Sequence, residues 1–165
     1  MAVARNVRPS ERGIIVRSFP DWYAEIACGG AATAGAALSE KAQVSLQNND
    51  PQQRDFIIYS LSLGSTMTNP VVSFALSTLP IGGVVTPCQA AQSTGPTPSG
   101  QVAQLDSAGA STLPAFYAVV VPAGGWEWNR SNPICILGPG YNLVLSTPVV
   151  NPCNLTAAFL FIPID

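Results

Sequence analysis

The chain is 165 residues long, 47% apolar and 10% charged, with no histidine and a net charge of −2. An ordinary soluble domain is about 25% charged, so a body this bare of charge suits a life against other protein better than one alone in water. The missing histidine excludes Ser-His-Asp and Cys-His catalysis and leaves few metal ligands, while the length sets one domain with room for a core.

Cations crowd at the start of the chain. Arg5, Arg8, Arg12 and Arg17 are four of the seven Lys and Arg residues, and Glu11 is the single acid among residues 1–17. This segment is predicted to be an extended basic arm ahead of one β domain over 18–165. The arm can be a solvated tail or can dock on an acidic neighbour. Four arginines without interleaved aromatics make a thin nucleic-acid patch. These charges also interrupt any apolar signal-peptide region, and no run of about 18 apolar residues predicts a membrane helix.

Residues 13–19 (GIIVRSF) and 22–28 (WYAEIAC) read as strands, the second by alternation. Residues 29–37 (GGAATAGAA) are small and flexible and read as a loop. In 40–47, Ala42, Val44 and Leu46 alternate with Lys41, Gln43, Ser45 and Gln47, which predicts a strand with one polar face. Asn48-Asn49-Asp50-Pro51 is a turn. Over 55–63, Ile57, Tyr59, Leu61 and Leu63 fall on one predicted face, and over 71–76 so do Val72, Phe74 and Leu76. A short strand is predicted at 81–86.

Residues 88–113 are rich in Gln, Ser, Thr, Gly and Pro and contain no aromatic, which predicts a long surface loop. Strand signals resume at 115–121 (AFYAVVV), followed by a Pro-Ala-Gly-Gly turn. Trp126 and Trp128 then share one strand face, with Glu127 on the other. Further strands are predicted at 133–137, 141–146 and 155–164, the first two separated by Gly138-Pro139-Gly140. No segment reads as a helix. About nine or ten short strands at 8–12-residue spacing predict an all-β fold, an antiparallel β-sandwich of jelly-roll type with the N-terminal arm attached.

Chemistry is thin. Cys28, Cys88, Cys135 and Cys153 lie far apart with no CxxC pair, so they read as buried thiols or as one or two disulfides, not as a zinc site. Asp21, Glu25, Glu40, Asp50, Asp55, Asp106 and Glu127 offer carboxylates, but no spacing marks a glycosidase pair or a calcium loop. No catalytic, cofactor-binding or metal residue is assigned, and no enzyme is expected. Trp22, Trp126 and Trp128 can serve as core anchors, interface hot spots or a glycan-stacking platform.

The run from Trp126 to Asp165 carries a resemblance. Its WEW, its PICILGPGYNLVLS with the Pro139-Gly140-Tyr141 turn, and its closing apolar strand resemble the end of small jelly-roll proteins on tailed-phage virions. Those are capsid decoration (cement) proteins and head-fibre or receptor-binding tips, commonly trimeric. The resemblance implies a virion structural protein on the capsid surface, made in the host cytoplasm. It would bind and stabilise a shell of major capsid protein as a homotrimer, without cofactor, nucleic acid or membrane. Arg5, Arg8, Arg12 and Arg17 would form its capsid-interface arm. A receptor- or glycan-binding tip and a shell-forming viral coat are the rival expectations.

Overall fold

A computed structural model describes residues 27–37, 40–90, 100–107, 113–129, 133–148 and 152–164. The basic arm with Arg5, Arg8, Arg12 and Arg17, the strand expected at 13–19, and Trp22 lie outside the described residues, as does most of the strand expected at 22–28.

Every regular element among the described residues is a strand. In chain order they are β1 (Cys28–Ala36), β2 (Lys41–Asn48), β3 (Asp55–Ser65), β4 (Val71–Ser77), β5 (Val84–Pro87), β6 (Gln89–Ala90), β7 (Gly100–Ser107), β8 (Ala115–Val120), β9 (Trp126–Asn129), β10 (Cys135–Leu137), β11 (Asn142–Ser146) and β12 (Cys153–Ile164). One six-stranded sheet runs β10-β3-β12-β1-β6, with β9 also on β3; the other runs β5-β7-β2-β11-β4-β8. All pairings are antiparallel. β9 and β10 lie end to end on one side of β3, against residues 60–63 and 56–58. The protein is therefore an antiparallel β-sandwich, and the chain changes sheet at eight of the eleven connections between β1 and β12.

Between the sheets the core is aliphatic and aromatic. Val44, Leu46, Val72, Phe74, Leu143 and Leu145 from one sheet meet Ile58, Leu61, Leu155, Phe159 and Phe161 from the other. Phe56 and Phe161 stack at a centroid distance of 4.3 Å. Cys28, Cys88 and Cys153 are buried and Cys135 is half-buried, and none of the four is in a disulfide. Burial pushes Cys88 and Cys135 up to about 12, so both stay protonated at neutral pH and are poor nucleophiles.

Two expected loops contain strands. Residues 29–37 are not a loop: β1 pairs along its whole length with β12, from Cys28↔Phe161 to Ala36↔Cys153. At Gly29 the lack of a side chain leaves room for the neighbouring strand. A Cβ on Gly29 would lie 2.7 Å from Leu160 Cδ2 and 3.0 Å from the Phe159 carbonyl oxygen. We therefore expect Gly29→Val to lose roughly 1–3 kcal/mol through overpacking, read from urea unfolding; an unchanged midpoint would refute the close-approach argument. The segment 88–113 likewise holds β6 and β7, and β7 pairs with β2 from Lys41↔Ser107 to Asn48↔Gly100. A polar composition hid this strand, because the ladder with β2 and β5 sets it and no apolar alternation does.

Phase also differs from simple alternation. In β3 the register against β12 slips between Leu160 and Phe161, making Tyr59 the extra residue of a bulge. Phe56 and Ile58 thus join Leu61 and Leu63 in the core, whereas Ile57 and Tyr59 were expected to share that face. The expected polar face of β2 is buried too, with Gln43, Ser45 and Gln47 at 2%, 0% and 8% exposure. β2 lies inside its sheet, between β7 and β11. Gln43 Nε2 donates to Ser146 Oγ at 2.9 Å, but Ser45 Oγ and Gln47 Nε2 have no hydrogen-bond partner. Leu76, expected beside Val72 and Phe74, is exposed near the end of β4.

Candidate functional site

One flank of the sandwich gathers most of the aromatic side chains that the sequence singled out. β8 ends one sheet and β9 lies at a margin of the other. The structure brings Trp126 and Trp128 of β9 together, ring centroids 6.2 Å apart. Trp126 packs edge-on against Phe74 at 6.0 Å, and Trp128 against Tyr117 at 6.5 Å. Phe74, fully buried in β4, also meets Tyr117 at 5.4 Å and Phe116 at 6.5 Å. Edge-on packing of this kind adds to burial because the positive rim of one ring meets the negative face of another.

A bulge makes the cluster. Register between β4 and β8 shifts where Phe74 pairs with Tyr117 and Ala75 pairs with Ala115, so Phe116 is the extra residue. Strict alternation would send Phe116 and Tyr117 to opposite faces. The bulge instead lets both rings reach Phe74, while leaving Phe116 51% and Tyr117 43% exposed. Trp126 and Trp128 are half-buried and pack against the core. Three rungs along β4 and β8 from the Phe74–Tyr117 pair, Val71 and Val120 are directly paired and both exposed on the outer face. Glu127 points away from the cluster and accepts a hydrogen bond from Ser62 Oγ at 3.2 Å.

Sequence reasoning found the two tryptophans but missed Phe74, Phe116 and Tyr117 as their partners. The apolar run at 115–121 was visible, but neither its place at a sheet margin nor its bulge is a local property. Trp22 and the four arm arginines lie outside the described residues.

A second feature is a cleft of about 400 Å³ at one end of the sandwich, beside the 48–54 turn. Several of its polar groups are held by the fold, although the buried Gln47 Nε2 is not. Asn48 Nδ2 donates to the carbonyls of Arg54 and Leu137, each at 2.8 Å. The Asn48 backbone is bonded to Gly140 and Tyr141, which ties this turn to the one at 138–140. Asp50 is the single carboxylate among the described lining residues, and Arg54 Nε donates to it at 2.6 Å. Asn142 Nδ2 donates to the Ser77 carbonyl at 3.2 Å. The cleft is a structural corner, and its carboxylate is already ion-paired.

Compared with known proteins, the chain matches no family model, no curated protein and no solved structure.

Proposed function

We propose that this chain is a virion structural protein, a capsid decoration (cement) protein that acts by burying surface and not by catalysis. The observation that carries the reading is the uncharged, partly exposed aromatic flank on a body almost without charge. No charged residue occurs between Asp55 and Asp106 or between Arg130 and Asp165. Such surfaces pack against protein at little desolvation cost, because charges buried without partners are expensive. A partner that binds only the assembled shell raises the shell's stability by mass action.

The wiring supports the same reading. We read β9/β10-β3-β12-β1 facing β2-β11-β4-β8, with the chain crossing between sheets, as a jelly roll carrying β5, β6 and β7 as an insertion between β4 and β8. Virion proteins commonly use that architecture, although a fold alone does not assign a function. In this reading Arg5, Arg8, Arg12 and Arg17 reach acidic residues of the major capsid protein, a salt-sensitive contact.

Mixing the purified chain with undecorated shells of major capsid protein tests the reading. Co-sedimentation and a raised shell melting temperature are expected, and both should fall when residues 1–17 are deleted. Absence of binding overturns the proposal. Closed particles formed by the chain alone would favour a coat protein, and a stability shift with saccharide a glycan-binding tip.

A further inference from the structure

We propose that a second copy of this chain pairs with the edge of β8 that no described strand occupies, antiparallel and across a two-fold axis. The inference deepens the assembly reading by naming one occupant of the flank. It concerns the pure chain and needs no shell, so the two can fail separately.

β8 closes its sheet, with β4 on one side and no strand among the described residues on the other. Val121 N–H donates to the Pro70 carbonyl at 3.0 Å, so its backbone groups point toward β4. Alternation then turns those of Val119 and Tyr117 inward and those of Ala118 and Val120 outward. The outward groups form a short row of donors and acceptors. An antiparallel edge is complementary to a copy of itself, because a two-fold rotation sets each donor opposite an acceptor. The register that uses both residues sets Ala118 against Val120 of the second copy and Val120 against its Ala118, with Val119 at the axis. On the outer face this places a small side chain opposite a large one.

The other described margins carry devices that block such pairing. β5 ends in Pro87, and β6 is the two residues Gln89 and Ala90. β9 carries Glu127, and β10 is three residues long between Pro133 and Pro139. β8 is AFYAVV, with no charge and no proline within it. Charge also fits a copy best. β8 offers a charged partner nothing to pair with, and two copies meet there without repulsion. The exposed rims of Phe116 and Tyr117 and the Val71–Val120 pair flank the seam and supply apolar contact.

The consequence is a two-fold contact, in contrast to the three-fold one that the virion resemblance implies. Sedimentation velocity on the full chain should give twice the 17.2 kDa chain mass. Hydrogen exchange should show the outward amides of Ala118 and Val120 protected in the associated state. Val120→Lys places a charge at an exposed seam position, and Ala118→Pro removes an outward N–H while sparing the β4 ladder. Each should weaken association by about tenfold or more, with an unchanged far-ultraviolet spectrum confirming the fold. If one variant misfolds, the other decides. A wild-type chain that stays single at about 100 μM, a mass of three chains, unprotected amides at 118 and 120, or folded variants that associate normally would each overturn the proposal.

Discussion

Phe74→Ala is expected to cost about 3–5 kcal/mol, the usual range for emptying a buried phenylalanine site. Phe74 has no exposed surface and meets three other rings, those of Tyr117, Trp126 and Phe116. Removing it leaves a cavity in the core and takes away the edge-on partner that orders Trp126. The neighbours cannot collapse freely, because β8 is already bulged to bring two rings to this point. For a chain of this size the loss corresponds to a fall of roughly 10 °C in melting temperature. Denaturant unfolding measures the cost, and native tryptophan emission should shift to the red as Trp126 gains water. A loss below about 1 kcal/mol would mean that the cluster is peripheral to stability.

Asp50→Ala is expected to cost roughly 3 kcal/mol, as removing one partner of a buried ion pair does. The Asp50 side chain is fully buried, whereas Arg54 keeps 20% of its surface exposed. The carboxylate accepts from Arg54 Nε at 2.6 Å and from the backbone N–H groups of Gln52 and Arg54 at 3.2 and 3.3 Å. Loss of these acceptors strands donors in the turn that Asn48 ties to the 138–140 turn. A pH dependence follows with a definite sign. Burial works against the charge, but the Arg54 hydrogen bond and the backbone donors outweigh it and hold Asp50 below the ordinary carboxylate value. Its contribution is therefore complete above the unfolded value near 3.9 and is lost as pH falls through the lower folded value. Stability measured from pH 6 downward should drop more steeply for the native sequence than for Asp50→Asn. Parallel curves would show that the pair contributes nothing to acid sensitivity.

The aromatic flank was half legible in the sequence. Trp126 and Trp128 sit two residues apart, and a strand puts such residues on one face, so their neighbourhood needed no structure. Their partners come from β4 and β8 in the opposite sheet, and Phe116 reaches Phe74 only through a bulge. The Asn48 staple is similar. The Asn-Asn-Asp-Pro turn was plain, but the Leu137 carbonyl that Asn48 holds is 89 residues away.

By itself the sequence determined that the chain is β, where β2, β3, β4, β8, β11 and β12 run, and that their surfaces carry almost no charge. These follow from local alternation, turn residues and composition, which act within a few residues. Tertiary structure decided that the Gly- and Ala-rich run 28–36 is a strand and that 100–107 is another, because ladders with β12 and β2 impose an extended chain on segments with no pattern of their own. It decided the phase of β3 and β8 through one extra residue in each. It also decided that β8 lies at a margin. Backbone pairing is bought between strands distant in sequence, and no local signal says which strand will be left with one side open.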